Sequence, residues 1–207
     1  MKKIVLVGLA TLVFGATAAV AAAPSSVTIN PEKRIVFYGG TVTLNGTVSP
    51  VVAGQAVSIT QTPQDRTPVT RQVTPNADGT YTIDIKPRIQ TQITATYQGA
   101  TSQPQVVFVR PRVGLRKYGA HRYAVSVVAA QSFVGKYVTI TRWDSHRHSW
   151  RKVKNVYLTR YVKSTGASTA AFRLNTHGKR MKVRAFLNRG QARPGYLYGY
   201  SNFIVTH

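Results

Sequence analysis

From residue 25 onward, apolar and polar side chains alternate with a period of two, in short runs broken by Gly, Pro, Asn and Asp. Alternation of this kind marks strands with one buried face. Such runs lie at 27–29, 35–37, 41–48, 56–60, 69–73, 80–85, 93–97 and 105–109. The predicted inward residues are Val42, Leu44 and Val48, then Val57 and Ile59, then Tyr81, Ile83 and Ile85. Asn30-Pro31, Ser49-Pro50 and the stretch 75–79 are turn signals, and 61–68 reads as a loop. Nothing in this first half holds a sustained apolar period of 3.6 residues. Short strands at spacings of about ten residues predict an antiparallel β-sandwich.

The plan occurs twice. Val134 to Thr141, VGKYVTIT, nearly repeats Ala53 to Thr60, AGQAVSIT. Strand-like runs at 123–127, 137–141, 170–174, 181–186 and 202–206 follow the order of the first half, and 153–162 supplies one or two more. Trp143 and Trp150 flank a hairpin loop, 144–149. Arg110-Pro111-Arg112 marks the boundary, so the expected domains are 24–110 and 111–207, joined by a short, Pro-stiffened linker. Residues 1–23 have two lysines, an apolar core and an alanine-rich end, the pattern of a secretory signal peptide cleaved within 21–24. The chain has no cysteine. A secreted product would then be held by its cores alone, without an acylated-cysteine anchor and with no transmembrane helix in the mature chain. The expected location is extracellular, with the wall retaining the protein by charge.

Residues 38–50 (YGGTVTLNGTVSP), 53–61 (AGQAVSITQ), 77–87 (ADGTYTIDIKP) and 93–111 (ITATYQGATSQPQVVFVRP) together resemble a bacterial immunoglobulin-like domain of secreted and surface proteins, notably of actinobacteria. The second half resembles a diverged copy in which a long basic hairpin departs from the pattern. The resemblance implies an all-β chain of two antiparallel immunoglobulin-like β-sandwiches in tandem after a signal peptide. It also implies a spacer or adhesive role, with no catalytic residues and no shared functional site to carry over.

Charge changes the picture. The chain carries 28 Lys and Arg against 5 Asp and Glu, a net charge of +23. Residues 24–110 are close to balance, with 7 cations and 4 acids, whereas 111–207 hold 19 cations and one acid, Asp144. So uneven a half repels itself and favours an external counter-charge. Alternation points Arg173, Lys182 and Arg184 outward, while Arg142, Arg147, Arg151, Lys152 and Lys154 gather around the hairpin. If their strands are neighbours, these eight residues form one basic, polyanion-binding sheet face. Trp143 and Trp150 are candidate aromatic contacts that stack sugars or bases. On the other reading, one Trp fills the core and Tyr196, Tyr198 and Tyr200 cap strand ends. Period-two alternation also sets Tyr196 and Tyr200 apart in burial from Leu197.

His146 and His148 have a spacing that on a strand places both rings on one face, as a metal site requires. A third ligand would have to be Asp144, His121 or His177, and the neighbouring arginines oppose a cation, so neither a metal site nor a cofactor is expected. The few acids offer no carboxylate pair for glycoside hydrolysis, and no Gly-x-Ser-x-Gly elbow, phosphate loop or His-Glu-x-x-His occurs. The leading expectation is a non-catalytic surface or cell-wall-associated protein. Its basic second domain would bind an anionic cell-envelope polymer or acidic polysaccharide. The alternatives are a structural or adhesive spacer meeting another surface protein, and extracellular nucleic-acid binding.

Overall fold

The structure, a computed structural model, describes residues 24–176 and 178–206. The segment read as a signal peptide and His177 lie outside the described residues. The first half forms β1 (Ser26–Val27), β2 (Asn30–Pro31), β3 (Ile35–Phe37), β4 (Val42–Ser49), β5 (Val57–Pro63), β6 (Val69–Val73), β7 (Thr80–Ile85), β8 (Thr91–Tyr97), β9 (Ala100–Thr101) and β10 (Gln105–Arg110). In one sheet β4 lies between β7 and the short strands β1 and β2; the other runs β3-β10-β8-β5-β6, with β9 also on β8. The pair β3 and β10 is parallel, unlike its neighbours.

The second half forms β11 (Arg112–Gly119), β12 (Arg122–Val128), β13 (Tyr137–Asp144), β14 (Ser149–Tyr157), β15 (Arg160–Val162), β16 (Ala167–Arg173), β17 (Lys182–Leu187), the one-turn helix α1 (Arg189–Ala192), β18 (Gly199–Tyr200) and β19 (Ile204–Val205). Its sheets run β11-β12-β16-β15 and β14-β13-β17-β18, with β19 also on β17. Taken in chain order, these are the A-B-E-D and C′-C-F-G sheets of an immunoglobulin-like sandwich. The first half follows the same plan, with β4 and β7 as B and E. No helix among the described residues is long and apolar enough to cross a membrane.

Alternation becomes burial as expected. Val42, Leu44, Val57, Ile59, Tyr81 and Ile85 fill the first core, and Ile83 packs against it partly buried. Tyr123, Val125, Val138, Ile140, Phe172 and Val183 fill the second. Each large side chain so buried contributes about 1.5–3 kcal/mol, which is how a chain without disulfides holds together. Two local readings change. Gln61 to Pro63 continue β5, paired to Ile93, Gln92 and Thr91, instead of opening the loop. Residues 112–119 form an eight-residue strand that their weak pattern conceals, since only Val113 and Leu115 pack inward.

Only Pro111 separates β10 from β11, and the second core reaches back into the first half. Ile89 and Val109 are buried within it, and Val36 and Tyr38 pack against it. The segment 193–198 wedges into this joint. Gln90 N–H donates to the Gly195 carbonyl (2.9 Å) and Leu197 N–H to that of Val109 (2.9 Å). Gly195 has φ +82°, and a Cβ there would lie 2.4 Å from Ile89 Cδ1, so only glycine fits both the backbone and the space. The Tyr196 hydroxyl accepts from Ala130 N–H (2.9 Å) and donates to the Arg88 carbonyl (2.7 Å).

Tyr196→Phe leaves that N–H and carbonyl without their partner, so a loss of about 1–3 kcal/mol is expected in urea unfolding at neutral pH. Burial pushes the Tyr196 phenol up to about 12, and that of Tyr81 likewise to about 12. Below the ordinary phenol value of about 10 both states keep the proton and the contribution is whole. As pH rises from there through about 12, the unfolded chain loses its protons first and stability falls. The variant should show a shallower fall over that window, measured by unfolding midpoint against pH.

A candidate anion-binding face

The outer face of the sheet β14-β13-β17-β18 is built by alternation from the strands' non-core residues. Val138 and Ile140 of β13 point inward, leaving Thr139, Thr141 and Trp143 outside; Val183 and Ala185 of β17 leave Lys182, Arg184 and Phe186 outside. The register sets Trp143 opposite Trp150, Thr141 opposite both Lys152 and Arg184, and Phe186 opposite Tyr200. Thr141 is small, so Arg184 can reach across it. Its guanidinium carbon lies 4.1 Å from the Trp150 ring centroid and 4.9 Å from that of Tyr200. Trp150 in turn meets Trp143 edge to face at 5.5 Å. The row thus reads Trp143, Trp150, Arg184, Tyr200. Lys182 extends it, with Nζ over Phe203 at 5.2 Å.

Arg184 is half-buried, and its Nε has no hydrogen-bond partner among the described residues. Burial pulls the guanidinium below its ordinary value, and Tyr200 partly offsets this. A cation clamped by two rings is pre-positioned, since the rings fix its plane without occupying its N–H donors. That geometry suits a phosphate or carboxylate oxygen approaching from solvent, with the flanking rings free to stack on a sugar.

The eight sequence-predicted cations do not share this face. Lys182 and Arg184 do, and Lys152 stands in the same register row while also bordering a cleft lined by Arg142 and Lys179. Arg142 and Arg151 face each other on the other side of the hairpin. An extra residue between Ile140 and Thr141 of the register, Val153, switches the side of Lys154, whose Nζ lies 6.0 Å from the Phe172 ring. Arg147 is at the exposed tip. Arg173 belongs to β16, which pairs with β12 and β15 and not with β17. The condition that these strands be neighbours therefore fails for Arg173.

Neither tryptophan fills the core. Both are partly exposed, and Tyr123 and Phe133 occupy the buried aromatic positions instead. Of the three tyrosines, Tyr196 is buried at 4% exposure whereas Tyr198 and Tyr200 are exposed, so the joint overrides simple alternation there. Asp144 is committed: it accepts from the His146 and Arg147 N–H groups (3.1 and 3.2 Å) and forms an ion pair with Arg151 at 3.7 Å. His146 and His148 sit in that turn, the His148 ring 6.5 Å from Trp143. Among the described residues, no three His, Cys, Asp or Glu converge as a metal site would require. Tyr200 is the part of the row that the sequence singled out least, and PGYLYGY alternation was its only signal.

No protein-family model matches the chain, and no curated protein matches it. Among solved structures, a tetra-tandem repeat in the extending region of a large adhesion protein aligns over 88% of this chain at 15% identity and a TM-score of 0.44; this chain spans 49% of that one. A marsupial T cell receptor aligns over 88% of this chain and 100% of its own, at 9% identity and a TM-score of 0.34. Likenesses this remote say nothing about activity, and the immunoglobulin-like assignment rests on the strand order itself.

The two surface tryptophans should be dispensable for folding. Trp143→Ala or Trp150→Ala should lose less than about 2 kcal/mol in denaturant unfolding, short of the ~3–5 kcal/mol of a core tryptophan. Arg184→Met keeps the packed stem and removes the desolvated charge, so its stability should stay within about 1 kcal/mol of the parent.

Proposed function

We propose that the chain is a non-catalytic, extracellular or surface module that holds an anionic envelope polymer on the outer face of its second sandwich. The observation that carries this reading is Arg184 held between Trp150 and Tyr200 in a half with 19 cations and one acidic side chain. Lys182, Lys152 and Arg147 supply further positive charge around it, and Trp143 extends the stacking surface. Phosphate-rich glycopolymers and acidic polysaccharides combine repeated anions with sugar or polyol units, which matches a face that alternates cations with rings. A spacer or adhesive role for the pair of sandwiches is a second reading, favoured by the joint at Ile89 and Tyr196, because a joint packed this way keeps the two halves at a fixed angle. The two readings are compatible in one molecule.

Binding of poly(glycerol phosphate) to the full chain should fall steeply as salt rises, because ion release drives it. Each cation near an anionic partner contributes about 1 kcal/mol. Replacing Lys152 and Lys182 by Gln and Arg184 by Met should therefore weaken binding at low salt roughly a hundredfold. Calorimetry at two salt concentrations reads both effects. Salt-insensitive binding, or full binding by the triple variant, would remove the proposal.

A further inference from the structure

The opposite side of the second sandwich, the outer face of β11-β12-β16-β15, carries a groove of about 810 Å³. Its floor is made of small residues in register: Gly114 faces Ser126, Ser126 faces Thr169, and Ala124 faces Ala171. Arg116 and Tyr118 stand along the β11 side, and Arg160 along the β15 side. Three strand spacings separate these walls, about 14 Å. Beyond one end, on the same outward side, Arg122 and Arg173 stand directly opposite each other on β12 and β16.

Two like charges in directly opposed positions destabilise a sheet. The Arg142–Arg151 pair on the other sheet is relieved by Asp144, 3.7 Å from Arg151. Arg122 and Arg173 have no such relief: among the described residues no side-chain hydrogen bond or ion pair is made by Arg116, Arg122, Arg160 or Arg173, and the half has no second acidic side chain. The first sandwich shows what this position looks like when it is closed. There the outward residues of β4 and β7 satisfy one another: Thr43 donates to Asp84 (2.8 Å) and Thr82 to Asn45 (2.9 Å). In the second sandwich that polar ladder is replaced by a bare floor and a rim of guanidinium groups.

We infer that this groove is a second anion site, for a phosphate-bearing polyol or sugar polymer, and that the chain is consequently bivalent and cross-links such polymers. The inference rests on the reading of the Arg184 face as a polymer site, since bivalency needs both. Phosphate is the anion the groove fits. The cations at the groove (Arg116 and Arg160) and beyond its end (Arg122 and Arg173) are all arginines, whose planar forks bind tetrahedral oxyanions two donors at a time. The Ser126 and Thr169 hydroxyls offer hydrogen bonds to a polyol backbone. A single polymer segment cannot lie on both faces, because they are on opposite sides of the sandwich.

The test uses the full chain and poly(glycerol phosphate) in two lengths. A short oligomer titrated by calorimetry should show two sites on the parent. R116Q/R122Q/R160Q/R173Q should show one, the lost site being weakened roughly a thousandfold. Long polymer should turn turbid with the parent near equivalence and clear in excess. Neither the groove variant nor a K182Q/R184M variant should cross-link it. The groove variant should also melt at an equal or higher temperature in low salt, with the difference shrinking in high salt, because a repulsive pair has gone. If the groove variant keeps two sites and turbidity, the inference is overturned while the Arg184 face stands. If K182Q/R184M keeps both sites, the Arg184 face fails and bivalency with it. If polyglutamate displaces the short oligomer from the groove as well as poly(glycerol phosphate) does, the phosphate assignment is overturned.

Discussion

A half-chain with 19 cations and one acidic side chain cannot neutralise itself, and the arrangement of its surface follows from that. Alternation moves the cations to the outer faces, where solvent screens them, but leaves them crowded. Several are then laid over aromatic rings: Arg184 over Trp150 and Tyr200, Lys182 over Phe203, and Lys136 over Phe133. Such a contact is worth about 0.5–1 kcal/mol at an exposed site, similar to an exposed salt bridge. The difference is that a ring stabilises a cation without cancelling its charge. Aromatic residues here take the place that acids would hold in a balanced protein, and the charge remains available to a partner.

The same half also supplies the joint. Ile89 leaves the first sandwich to be buried among second-core residues, and the loop 193–198 closes over it with Gly195 at the point of nearest approach. Two backbone groups from different halves of the chain, the Arg88 carbonyl and the Ala130 N–H, meet on one phenol. Local stability is thereby shared. Loosening the loop after α1 exposes Ile89 and removes the Tyr196 bridge together, leaving exposed hydrogen bonds such as Arg66 to the Ala130 carbonyl and Arg112 to the Tyr38 carbonyl to join the two sandwiches.

Much of this was legible in the chain, because a strand's own alternation reports which of its residues face the core. Val57 and Ile59, Val183 and Ala185, and the outward Lys182 and Arg184 needed nothing more. What a strand does not report is its partner. Arg173 and Arg184 look alike in sequence, yet β16 and β17 lie in different sheets and present them to opposite sides. One added residue at Val153 shifts the register and turns Lys154 from the face that holds Arg184. The groove was silent for a different reason. Gly114, Ala124 and Ala171 are too small to mark a core or a site, and only their convergence across three strands makes a floor. Residues 112–119 hide similarly, since a strand with two inward apolar residues resembles a linker.

The two basic faces of the second sandwich differ in the way they hold their cations, and this bears on how independently they act. The Arg184 face grips one guanidinium between rings and adds lysines, whereas the groove is rimmed by arginines alone with nothing between them and solvent. Packed sheets lie about 10 Å apart, and outward side chains add several ångströms on each side. At physiological salt, charge is screened over about 8 Å. Anions gathered on one face therefore do little to relieve repulsion on the other. The crowding of Arg122 against Arg173 can be relieved only from the groove's own side.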